Sequence, residues 1–180
     1  MIGPDGRKRN LRLEILYASA GPDDQDNRDN VYQAWLSEYA RERFLESIRK
    51  STVVLYNGHS RVGGGPDFDP PRINSLGAIL YDEYKLEEAG LKDLLKALGE
   101  PATEVELLGL LSCASNQLFE ERLRKAKRGL GVWSSRELLY FADALEDSWS
   151  LLDTLIKMKC RPEFDRIAGM RPHQAGSRIS

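Results

Sequence analysis

The chain has 180 residues, 41% hydrophobic and 30% charged, the size and composition of one domain with a single substantial core. Its 26 basic and 28 acidic side chains leave a net charge of -2, so no global field draws it to nucleic acid or to an anionic membrane. No apolar stretch approaches the roughly 20 residues needed to cross a bilayer, and "MIGPDGRKRN" lacks the apolar run of a secretory signal, so the expected compartment is the cytoplasm.

In chain order, "LRLEILYAS" (11–19) alternates like a strand and breaks at Gly21-Pro22. From about 30 to 50, Val31, Trp35, Leu36, Tyr39, Phe44, Leu45 and Ile48 fall on one helical stripe. "STVVLYN" (51–57) is a short apolar run of the kind found in strands covered on both faces. "RVGGGPDFDPPR" (61–72) holds three glycines and three prolines and is a loop. A short strand at 76–81 is one option; a helix from about 85 to 98, ended by Gly99 and Pro101, follows. "VELLGLLSC" (105–113) predicts a buried strand, and 115–128 a helix with Ser115 as N-cap and basic residues at its end. A strand at 129–135 and a long amphipathic helix at 135–159 complete the set.

This alternation predicts an α/β fold, a doubly wound and mainly parallel sheet with helices on both faces. Residues 1–160 form its single domain, and 161–180, with two prolines and two glycines, form an irregular or disordered tail. In such sheets, sites lie at the carboxyl ends of strands, near a reversal of strand order. His59 follows one predicted strand, and Cys113 ends the next secure one.

Two nucleophiles compete. A serine elbow needs glycines two positions either side of the serine and a helix immediately after it. Gly58 fits, but Val62 occupies the second glycine position, and "GGGPDFDPP" cannot be helical. The remaining histidine, His173, lies in the tail. Cys113, by contrast, ends a strand and precedes a helix N-terminus, whose partial positive charge favours a thiolate. Unpaired N–H groups there, including its own, suit an oxyanion. The ordinary role of a strand-end cysteine is packing. The separation of 54 positions (113 − 59) from an upstream histidine matches the caspase-type arrangement of base and nucleophile.

"TVVLYNGHS" and "ELLGLLSCAS" resemble the two signature blocks of the clan CD cysteine peptidases, the group containing caspases, separase, clostripain and CHAT-domain proteases. "KRGLGVWSSRELLYFADALEDSWSLLDTLI" is similar to the next strand and helix of the CHAT and separase-like branch, so the resemblance covers about residues 50 to 156. It implies a caspase-haemoglobinase-like fold and a cysteine endopeptidase that cuts peptide bonds through a thioester. Cys113 would be its nucleophile, His59 its acid and base, and N–H groups of Gly58, Ser60 and Cys113 its oxyanion hole. The family places glycine after this histidine, where Ser60 stands here, and the caspase "QAC" signature is absent.

The candidate substrate-binding residues are Asp23, Asp24, Arg61, Ser134 and Asp143. The loop "GPDDQDNRDN" (21–30) reads first as solvated Asx turns, yet an aspartate from it, or Asp143, would suit an arginine or lysine side chain. Arg61 would suit an acidic one, and sequence alone leaves the sign open. The expected partners are a protein or peptide substrate and, in addition, an activating protein; nucleic acid and membrane are not expected. No cofactor or metal is expected: Cys113, Cys160, His59 and His173 lack zinc spacing, the acidic loop lacks EF-hand spacing, and the glycine-rich loop lacks the end of a P-loop. The alternative readings are a non-catalytic interaction or regulatory module of the same fold and a serine hydrolase acting through Ser60.

Overall fold

The computed structural model describes residues 10–19, 28–157 and the backbone of 177–179. Helix α1 (Val31–Lys50) begins where the Asn30 side chain accepts from the N–H groups of Tyr32 and Gln33, satisfying two donors that a helix start leaves free. Strand β1 (Val53–Asn57) follows, then a 3-10 turn (Arg61–Gly63) and the short helices α2 (Tyr81–Glu87) and α3 (Ala89–Leu98). Strand β2 (Leu107–Leu111), helix α4 (Ser115–Ala126), strand β3 (Gly131–Ser135) and helix α5 (Phe141–Ile156) complete the succession, with strand β4 (Ser177–Ile179) at the far edge.

The sheet order is β1-β2-β3-β4, with the first three strands parallel and β4 antiparallel to β3. Alternation along the strands divides their apolar side chains between two faces. Val54, Tyr56, Leu108, Leu110 and Val132 pack with Phe44 and Ile48 of α1, Leu91, Leu94 and Leu98 of α3, and Phe119 and Leu123 of α4. On the opposite face Leu111 and Trp133 pack with Ala144 and Leu151 of α5, flanked by Leu55 and Leu107. Apolar residues at both parities are what strands covered on both sides require. The protein is therefore α/β, with three parallel strands between helices on both faces.

Several elements differ from the sequence expectation. Residues 11–19 are not a strand: they run irregularly beside α1, held by the Arg43–Glu14 ion pair (2.8 Å), with Ile15 72% exposed. The alternating pattern is present, but no sheet edge receives it. In α1 the buried stripe is Leu36, Ala40, Phe44 and Ile48, whereas Val31, Trp35 and Tyr39 face outward. Residues 74–77 turn, and an isolated antiparallel bridge joins Ile73 to Ile79 where a strand at 76–81 was an option. The helix expected from 85 is two helices, because Glu88 adopts a left-handed conformation (φ 47°). The last helix starts at Phe141 rather than 135, since Tyr140 is extended (ψ 151°), and this frees 136–140 as a loop. Of the expected tail, 161–176 lies outside the described residues, and Ser177–Ile179 pairs with β3. Among the described residues no helix is long and apolar enough to cross a membrane.

Candidate active site

The register of β1 and β2 decides where the histidine and the cysteine stand. Asn57 pairs with Leu111 at the carboxyl end of the two strands, and the Gly58 N–H extends the ladder by donating to the Leu111 carbonyl (3.4 Å). His59 and Cys113 each lie two positions past that last pair. They share the parity of Asn57 and Leu111, which face α5: the Asn57 amide donates to Ser148 Oγ (2.8 Å), and Leu111 packs in the α5 cluster. Adjacent strands are about 4.8 Å apart, so the two residues follow neighbouring strand ends, both standing just beyond the last paired residues. The described strands show no reversal of order, the feature near which such a site was expected.

Cys113 is a free thiol, partly exposed, and its Sγ donates to the Leu139 carbonyl at 3.7 Å. His59 is exposed. After Cys113 the chain reverses through Ala114, in the left-handed region (φ 52°), directly into α4. The Ala114 N–H is taken by the Glu137 carbonyl (2.9 Å) and the Ser115 N–H by the Ser112 carbonyl (3.3 Å). Among the described residues no hydrogen bond engages the N–H of Cys113 or of Ser60. The Gly58 N–H, spent on the ladder, drops out of the expected oxyanion set.

Ser115 does not cap α4. Its hydroxyl donates to the Leu110 carbonyl (2.6 Å) and accepts from the Ser135 N–H (2.9 Å), so it joins the ends of β2 and β3 beneath the site. Ser134, expected to touch substrate, is buried and donates to Glu120 (3.1 Å), with Asn116 alongside (3.3 Å). It is a support between β3 and α4. Arg61, the other expected contact, is also turned inward. Its guanidinium binds Asp67 (2.7 Å) and the Asp69 carbonyl (3.1 Å) and lies 5.3 Å from the centre of the Tyr84 ring. Asp23 and Asp24 lie outside the described residues.

Asp143, the remaining expected contact, lines a cleft of about 570 Å³ together with Glu137, Leu138 and Tyr140. Neither Cys113 nor His59 lines it; the carbonyl of Leu139, between two of the lining residues, accepts from the Cys113 thiol. Glu137, Leu138 and Tyr140 had no sequence signal of their own; they enter only because 136–140 is a loop rather than helix.

The serine elbow fails in space as well. Ser60 is 7% exposed, and a single 3-10 turn follows it instead of an α-helix. Its carbonyl accepts from the N–H groups of Gly63 (3.0 Å) and Gly65 (3.3 Å), which closes the turn. The glycine-rich loop serves close packing rather than a phosphate: the Gly64 carbonyl accepts from the Leu91 N–H (3.0 Å), and a Cβ on Gly65 would lie 2.1 Å from that nitrogen. Among the described residues no group of three or more His, Cys, Asp or Glu is gathered to hold a metal ion. No protein-family model, curated protein or solved structure matches this chain.

Proposed function

We propose that the protein is a cytoplasmic cysteine endopeptidase with a doubly wound, caspase-like α/β domain, acting through Cys113 and His59. The observation that carries this reading is the register of β1 and β2, in which the two residues follow aligned strand ends with the same parity. In the reaction, the Cys113 thiolate adds to the scissile carbonyl, and the oxyanion is met by the N–H groups of Cys113 and Ser60. His59 then gives its proton to the leaving amine, and the tetrahedral adduct collapses to a thioester. Water enters, His59 takes its proton, and the carboxylic acid leaves with the thiol restored. The acidic lining of the adjacent cleft, Glu137 and Asp143, supports a basic side chain before the cut, with Tyr140 and Leu138 as its apolar wall.

The test is alkylation followed by peptide mapping, beside a positional-scanning peptide library. Cys113 should react with iodoacetamide at least tenfold faster than Cys160, and Cys113→Ala should abolish cleavage at arginine and lysine. Equal slow labelling of both thiols with no hydrolysis of any library member would overturn the reading. The exposed face of α1, where Tyr32, Trp35 and Tyr39 stack at 5.8 and 5.5 Å, favours a second reading as a non-catalytic interaction module. Partner binding that survives loss of both His59 and Cys113 would select it.

A further inference from the structure

Tyr56, on β1 three residues before His59, has a hydroxyl at the neck of the loop that His59 opens. Its oxygen accepts from the Asp67 N–H (2.9 Å), and its single proton is shared between the carbonyls of Asp67 (2.8 Å) and His59 (3.1 Å). One phenol thus ties the first residue of the loop 59–67 to the last. The loop between is internally braced by the Arg61–Asp67 ion pair. The ring beneath is fixed by Phe44 and Phe68, at 5.8 and 5.4 Å between centres. Burial pushes the phenol's pKa well above its ordinary value, so it stays a donor throughout the neutral range. Gly58 completes the arrangement: a Cβ there would lie 2.4 Å from the Tyr56 hydroxyl, so only glycine lets the chain pass over it.

We propose that Tyr56 is a positioning residue for His59: its hydroxyl clasps the His59 carbonyl to the Asp67 backbone and so holds the imidazole in register with Cys113. The proposal rests on the peptidase reading for its effect on rate, but not for its effect on His59 itself. Among the described residues, the groups facing the clasp are the Asp67 and His59 backbones, the Asp67 carboxylate and the Arg61 guanidinium paired with it. A peptide-bond rotation at His59 would swing the side chain out of line with the sulfur, and small misplacements of a catalytic group are costly in rate.

Tyr56→Phe removes the hydroxyl and keeps the ring packing. In a protein that cleaves peptides, kcat should fall about tenfold with KM within about twofold of wild type. The ring-proton chemical shifts of His59 at one fixed pH, assigned by NMR against His173→Gln, should change. A variant that only loosened the core would lower the melting temperature and leave those shifts in place. Gly58→Ala, which displaces the hydroxyl from the other side, should give the same kcat loss and changed His59 shifts. It decides the matter if Tyr56→Phe does not fold. Wild-type kcat together with unchanged His59 shifts in the folded variant overturns the proposal. If the wild-type protein cleaves nothing, the peptidase reading falls, and the NMR shifts alone decide the clasp: changed shifts sustain it, unchanged ones end it.

Discussion

Arg61 illustrates how one residue can look functional in sequence and be structural in space. A cation after a strand and beside a histidine suits an acidic substrate, yet 5% exposure and the Asp67 pairing put it inside the protein. The turn that carries it is strained: Arg61 (φ 45°) and the β-branched Val62 (φ 52°) both occupy the left-handed region. Such a conformation persists only where its surroundings enforce it. The ion pair and the Tyr84 ring supply that enforcement. Removing the guanidinium leaves the Asp67 carboxylate largely buried without its partner, so Arg61→Met should cost about 3 kcal/mol in urea denaturation. The position was visible in the sequence; its direction depends on Asp67, six residues on, and on Tyr84 from α2. No local pattern reports either.

At the scale of elements, the break between α2 and α3 is held by a cross-helix pair. Glu88 sits at the left-handed junction and accepts two bonds from Arg122 of α4, at 2.6 and 3.0 Å. The Arg122 guanidinium holds the Glu88 carboxyl below its ordinary pKa. A depressed folded-state pKa means that the stabilisation is present above the ordinary carboxylate range and disappears as pH falls through the folded value. Glu88→Gln should therefore lower Tm at pH 7, and the gap from wild type should close as pH falls below the ordinary carboxylate range, as followed by circular dichroism. Strands β1, β2 and β3 were legible because runs such as "TVVLY" and "LLGLL" are apolar at both parities, which only a doubly covered strand accommodates. The 11–19 segment misled because alternation marks a half-covered strand without saying which edge receives it, and here its partner is α1. The start of α5 was misjudged for a related reason. "SSRELLYF" has helical composition, but the Glu137 carbonyl bonds to Ala114 and the Leu139 carbonyl to Cys113, contacts that hold it open. His59 and Cys113 were legible as strand-end residues; that the two strands are neighbours with aligned ends needed the register.

For the whole molecule, the three parallel strands form a layer screened on both sides, and stability should be graded outward from it. Leu108, Leu110, Val132 and Trp133 are 0% exposed, whereas residues 10–19 rest on α1 by polar contacts. Native-state hydrogen exchange should be slowest in β2 and β3, intermediate in β1 and α1, and fast throughout 10–19. Protection of 11–17 equal to that of β2 would show that this segment joins the sheet in solution. The strand order has a further consequence for synthesis on the ribosome. Because β1, β2 and β3 lie side by side in the order in which they are translated, each strand docks on an edge already formed, and no earlier pairing has to open. His59 arrives with the first strand and Cys113 with the second. The nascent chain thus completes both strand ends before α5 is made, and the cleft lined by Glu137, Leu138, Tyr140 and Asp143 is the last of these features to form.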